Sequence, residues 1–359
     1  MAAGVAVLAV RAVTPEEEFW HRFLSAELPS QKCQAILKEL GTSGSLSVGM
    51  LLRQGSLSDR ERGLIRNADV LALKNVLLAG ARLVRSDELG EMLQQAMFAP
   101  PAVFIKGDES CLFAPTVAIV GTRRASTYGK AVAQKFAEAF ARAGMTVVSG
   151  GAYGIDASAH RGALAVGGKT AAVLLTAIDR VFPREHAGLF QQIGASGCLL
   201  SQFAPGSRDS NYRPLIRNLT VAALSHAVVV IEAPQKSGAL STAAAANELG
   251  RQVFVVPANI ENENFRGSHA LIRDGATLVD HPDHVLMALG IQPGHAIVDV
   301  ESLTPAQEQI MAILTTSPLA AEFIAERTGI GNGEVLGELT LLELEGKVVR
   351  DLGGYARRP

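Results

Sequence analysis

The chain runs to 359 residues, 48% of them hydrophobic, with a formal net charge of −2; that length predicts two or three domains with a sizeable core. Its longest apolar runs, such as 171–175, are far too short to cross a bilayer, so no membrane span is expected. Three widely spaced cysteines, Cys33, Cys111 and Cys198, give neither a zinc pattern nor a disulfide framework, and no metal or cofactor is expected in what reads as a protein of the reducing cytoplasm.

In chain order, residues 2–10 are apolar without a basic start, which reads as a short strand or loose end and not a signal peptide. Thr14, Pro15 and Glu17 spell a capped helix start. Amphipathic pieces at 19–24, 30–40, 59–68 and 69–80, split by a Gly/Ser run at 41–49, predict a small helical domain over 1–85. Residues 86–291 then alternate. Strands are expected near 117–120, 145–148, 171–175, 227–232 and 252–256, with helices at 130–142, 157–166, 184–193, 213–225 and 239–250. Continuously apolar strands between helices predict a Rossmann-like, doubly wound parallel sheet covered on both faces. Such a sheet binds ligands beyond the carboxyl ends of its strands. A linker at 292–301 leads to three short helices and a hairpin over 302–359, the pattern of a winged helix.

Two glycine-rich turns carry the chemistry. The run 117–120 meets Gly121, Thr122 and Arg123, then Ser126, Tyr128 and Gly129; about thirty residues on, 145–148 runs into Ser149, Gly150 and Gly151. Strand-to-helix turns of this kind offer free amides and a partial positive charge to a phosphate. The dinucleotide spacing G-x-G-x-x-G is missing, which disfavours an NAD site. Arg123, a planar five-donor fork suited to phosphate, stands instead. A third helix start, at Ser237, Gly238, Ser241 and Thr242, repeats the arrangement. Capping explains one of its hydroxyls without using up the rest.

Val-Gly-Thr-Arg with Ser-x-Tyr-Gly after it, then Ser-Gly-Gly-Ala-Tyr-Gly-Ile-Asp, resembles the DNA-processing protein A family. Ile178-Asp179 with Phe182-Pro183, Arg217-Asn218, Glu232-Ala233 and Ser237-Gly238-Ala239-Leu240-Ser241-Thr242 follow in the same order over residues 100–290. The resemblance implies a non-enzymatic, sequence-independent binder of single-stranded DNA that protects incoming strands and loads the RecA recombinase in transformation and recombination. It also implies a homodimer formed through the central domain and, over 1–85, a sterile-alpha-motif-like module. A Pro-Pro at 100–101 followed by a strand ending near Lys106-Gly107 matches the family too; that strand reads as an added sheet edge. The family's usual second arginine after Arg-Asn is here Leu219, which removes one candidate phosphate contact.

A whole-chain charge of −2 argues against DNA, but residues 116–217 hold twelve bases against five acids. A local positive field is what phosphate binding needs. DNA is therefore expected at Gly121, Thr122, Arg123, Ser126, Gly150, Arg217, Asn218, Ser237, Gly238, Ser241 and Thr242. Asp156 and His160, one helical turn apart, lack a positioned nucleophile, so no catalytic residue is expected. The rival reading is a nucleotide phosphoribohydrolase-like enzyme of a related Rossmann family. That chemistry wants a glutamate after the third helix start, where this chain has alanines.

Overall fold

The computed structural model describes residues 11–41, 46–94, 96, 99–292, 304–315, 318–344, 347–351 and 353–357. The apolar start at 2–10 and nearly all of the expected linker lie outside them. The chain forms two compact units, Met1–Gly294 and His295–Pro359.

The first unit opens with five helices, α1 (Pro15–Ser25), α2 (Ser30–Leu40), α3 (Val48–Leu52), α4 (Asp59–Arg66) and α5 (Val70–Leu78). The Thr14 hydroxyl accepts from the Glu17 amide at 3.1 Å while the Glu17 carboxylate accepts from the Thr14 amide at 2.9 Å, so α1 starts in a reciprocal cap. Phe19, Phe23, Ile36, Ile65 and Leu73 bury one face of this bundle, and Phe104 of the sheet joins them. Each such side chain contributes about 1.5–3 kcal/mol by leaving water.

Next come β1 (Ala81–Arg85), α6 (Glu91–Gln94), β2 (Ala102–Gly107), β3 (Thr116–Val120), α7 (Thr127–Arg142), β4 (Thr146–Ser149), α8 (Ile155–Ala165) and β5 (Thr170–Val173). They are followed by α9 (Ala187–Ser196), β6 (Cys198–Ser201), α10 (Arg213–Ala223), β7 (Ala227–Val230), α11 (Gly238–Glu248), β8 (Gln252–Val255), α12 (Arg266–Arg273), β9 (Thr277–Leu278) and α13 (Pro282–Ala288). The sheet order is β1-β2-β6-β5-β4-β3-β7-β8-β9, parallel from β6 to β9. Along β3, Val117 and Ile119 enter one hydrophobic layer, Ala118 and Val120 the other. Alternating side chains feeding two cores explain why the run is apolar throughout.

Three expectations need correction. The strand at 102–107 is not the sheet edge, because it pairs antiparallel with both β1 and β6. The edge is β1, whose alternation of buried Ala81 and Val84 with exposed Arg82 lies inside the stretch read as helical. Strands β6 and β9 were not expected either; at four and two residues they are too short to show a period. Finally, the helix read at 184–193 begins as a tight 3-10 turn and runs as α9 to Ser196.

The second unit comprises α14 (Pro305–Ile313), α15 (Ala321–Thr328), α16 (Asn332–Leu344), β10 (Val348–Asp351) and β11 (Gly354–Arg357). It closes on Ile310, Ile324, Val335, Leu339 and Tyr355. Three helices and an antiparallel hairpin make the winged helix.

Two buried histidines give the fold a pH dependence. Burial pulls His21 from its ordinary 6.5 to about 4 and His160 to about 3. As pH falls below 6.5 the unfolded chain therefore takes up protons that the native state refuses. Stability is full above that value and drains through the window down to about 4 and about 3 respectively. The expected slope is about 1.4 kcal/mol per pH unit for each histidine. Urea unfolding at pH 7 and pH 5 measures it, and a His160→Asn variant should show a shallower fall.

Candidate nucleic-acid interface

Strand order reverses between β3 and β7, since β4, β5 and β6 extend to one side and β8 and β9 to the other. At such a switch point the connections diverge and leave a crevice beyond the carboxyl ends of the strands. A cleft of about 350 Å³ occupies it, lined by Gly121, Thr122, Arg123 and Arg124 after β3, Ala152 and Asp156 after β4, and Lys236, Ser237, Gly238 and Thr242 after β7. Arg217 and Asn218 enter from α10. Four bases thus face one carboxylate.

Arg217 is the anomaly of the site. It is 6% exposed, its Nη1 lies 3.5 Å from Asp156 Oδ2, and its Nε has no partner among the described residues. Burial works against its charge, the Asp156 carboxylate opposes that, and neighbouring Arg123 adds repulsion. Glycine at 150 makes the arrangement possible. A β-carbon there would fall 1.0 Å from Arg217 Nη1. The Gly150 turn is therefore a slot for a guanidinium, where the sequence had suggested an approach to phosphate.

The other glycine turn also has an internal explanation. Buried Glu232 accepts from the Ser126 amide at 3.0 Å, the Ser126 hydroxyl at 2.7 Å and Asn264 Nδ2 at 2.8 Å. Ser126 in turn caps α7, accepting from the Gly129 amide at 3.0 Å. A carboxylate of the protein already occupies the start of α7, and Ser126 does not line the cleft. Gly121 lets this turn close, because a β-carbon there would meet Ile155 Cγ1 at 2.5 Å.

The third helix start is more open. Ser237 caps α11, accepting from the Ala239 amide at 3.3 Å. The Ser241 hydroxyl, half-buried, donates to the Gly238 carbonyl at 2.6 Å and accepts from Asn218 Nδ2 at 2.9 Å. Asn218 also donates to the Gly238 carbonyl at 3.0 Å, tying α10 to α11. Lys236 and Arg124, which sequence reasoning did not single out, stand exposed at the cleft. Leu219 packs against the core beneath.

Part of the positive segment is spent internally. Arg180 pairs with Asp209 at 2.8 Å. Arg213, 1% exposed, donates from Nε to Glu27 at 3.2 Å and from Nη1 to Asp209 at 3.1 Å, and lies 4.4 Å from the centre of the Phe203 ring. Glu27 reaches it from the end of α1 with φ of 47°, a left-handed backbone that a non-glycine residue adopts at a cost. His160 is buried on Thr170 at 2.7 Å, and His281 caps α13.

Fold and crevice together define a doubly wound α/β protein with a cationic switch-point cleft, joined in one chain to a winged helix. The family described as DNA recombination-mediator protein A matches residues 82–290, and the DprA winged helix domain matches 298–354. The chain belongs to this DNA recombination-mediator protein A family. It is 34% identical to protein Smf of Synechocystis over 299 residues, covering 72% of this chain and 75% of that protein. Its 40% identity to the DprA of Mycobacterium tuberculosis covers 64% of this chain and 61% of the relative's length. The crystal structure of Streptococcus pneumoniae DNA processing protein A is similar with a TM-score of 0.67 at 29% identity, covering 76% of this chain and 97% of that one. A Helicobacter pylori DNA processing protein A structure, described for its single-stranded DNA binding mode, is similar at a TM-score of 0.54 and 27% identity, over 58% of this chain and 95% of that one.

No described helix is long and apolar enough to cross a membrane.

Proposed function

We propose that this chain binds single-stranded DNA without regard to sequence, works in the cytoplasm as a homodimer formed through its α/β unit, protects incoming strands and loads the RecA recombinase onto them. Binding, and not catalysis, is its task. The observation that carries this reading is Arg217, a nearly buried guanidinium whose Nε has no partner among the described residues, in a cleft lined also by Arg123, Arg124 and Lys236. A charge held in so poor a state is best relieved by an anion that completes its hydrogen bonds. A row of bases suits a phosphate chain better than a single phosphate. The winged helix is read as an interaction module, since α16 carries Glu334, Glu338 and Glu343 and no base, a poor surface for DNA.

A labelled mixed-sequence single strand and its duplex, titrated over a salt series against wild type and Arg123→Ala, test the proposal. The single strand should bind in preference, with affinity falling steeply as salt rises. Arg123→Ala should cost about 1–3 kcal/mol and lower the logarithmic salt slope by about 0.7. Success makes RecA filament formation on bound strands the next assay. Failure of both nucleic acids to bind at low salt would overturn the reading and turn attention to nucleotide monophosphates and the hydrolase alternative.

A further inference from the structure

Where the end of α1 meets the α/β part of the first unit lies a hollow of about 600 Å³ that shares no lining residue with the switch-point cleft. Its walls are mainly apolar: Phe23 and Leu28 at the end of α1, Leu64 from α4, Pro101 before β2, Phe203 after β6 and Ile216 from α10. An apolar hollow of this size with a few polar groups is the usual form of a small-molecule site. The polar groups here are unequally committed. Both acids are taken: Glu27 accepts from Arg213 Nε at 3.2 Å and Glu61 from Lys32 Nζ at 2.6 Å. Two donors are not. Gln202, 5% exposed, accepts from Thr220 Oγ1 at 2.6 Å through its Oε1, and its Nε2 has no partner among the described residues. Arg60, exposed on α4, has no ion pair among the described residues. A buried amide donor without an acceptor is costly, so the inner wall asks for an oxygen.

The geometry points to a second ligand site: we infer that this hollow binds an amphipathic carboxylate, an apolar chain whose carboxylate meets Arg60 at the exposed end and whose second oxygen meets Gln202 at the buried end. The unspent groups select this class over others. A wholly apolar molecule would fill the walls and leave both donors unmet. A cation would meet Arg60 with like charge and find Glu27 and Glu61 already paired. A nucleotide would bring more negative charge than a single free arginine beside two acids accepts. One charge and one further oxygen on an apolar body match what the walls offer. The body supplies most of the affinity by leaving water, and the two polar ends fix its direction.

The test titrates the full chain with 10-hydroxydecanoate, decanoate and 1,10-decanediol. Binding is read from the fluorescence of Trp20, the single tryptophan, whose ring lies 5.9 Å from that of Phe23 between centroids, and calorimetry gives the stoichiometry. Wild type should bind one 10-hydroxydecanoate per chain and melt at a higher temperature in its presence, as a ligand of the native state requires. Decanoate, lacking the inner oxygen, and the diol, lacking the charge, should each bind roughly three- to tenfold more weakly. Arg60→Ala should bring 10-hydroxydecanoate down to the level of the diol. Leu64→Glu, which sets a like charge on the wall, should weaken it further. Both side chains are exposed, so neither change should move the melting temperature of the unliganded protein. Failure of wild type to saturate, 10-hydroxydecanoate binding no tighter than both controls, or binding indifferent to both substitutions would overturn the inference. Because hollow and cleft share no residue, each of those results leaves the DNA reading standing.

Discussion

Gly150→Ala is expected to weaken single-strand binding by about thirtyfold or more, although the substitution adds one methyl group and removes no charge. The added carbon would lie 1.0 Å from Arg217 Nη1, 2.3 Å from its Cζ and 2.8 Å from Asp156 Oδ2. The guanidinium must move to relieve such overlap, and its 3.5 Å contact with Asp156 moves with it. Asp156, itself buried, then loses its cation and directs an uncompensated carboxylate at the position proposed for phosphate. Breaking a buried charge pair in this way typically costs about 2–5 kcal/mol, divided between affinity and stability. Anisotropy titration beside a thermal melt separates the two shares. Undiminished binding in a folded Gly150→Ala protein would show that Arg217 grips DNA from outside its slot, or not at all.

Glu232→Ala is expected to cost about 3–4 kcal/mol of stability, because it strands three donors at once: the Ser126 amide, the Ser126 hydroxyl and Asn264 Nδ2. Gly129 is shaped to this carboxylate, since a β-carbon there would fall 2.0 Å from Glu232 Oε2. Glu232→Gln should lose less, keeping one acceptor oxygen while turning an amide toward a donor. Urea midpoints of the three proteins give the order. A loss below about 1 kcal/mol for the alanine variant would mean that water replaces the carboxylate without strain.

The alternation of apolar runs with helical periods was enough to read the parallel sheet, because strands buried on both faces carry a signal in every residue. Strand β1 was not legible, since its Ala-Arg-Leu-Val-Arg pattern follows directly on helical segments and is too brief to establish a new period. The close approach of Cys111 and Cys198, with sulfurs 3.7 Å apart across the core, was equally hidden, for pairing across 87 residues leaves no spacing to read. At the cleft, glycine-rich turns pointed to the right end of the sheet. Which partner each glycine admits was beyond sequence: Gly150 makes room for an arginine, Gly129 for a glutamate. Lys236 gives no signal in the sequence, since a lone lysine before a capped helix is ordinarily solvated surface.

The bond between Glu27 and Arg213 bears on how this protein is cut into pieces. The region recognisable as the family begins at residue 82, yet the arginine at the head of α10, four residues before Arg217, keeps its main counter-charge at residue 27. A fragment trimmed to residue 82 would carry a cation in its interior with, among the described residues, only the exposed Asp209 to balance it. The part of a chain that a family pattern matches and the part that folds as a unit need not share a boundary, and here they differ by more than fifty residues.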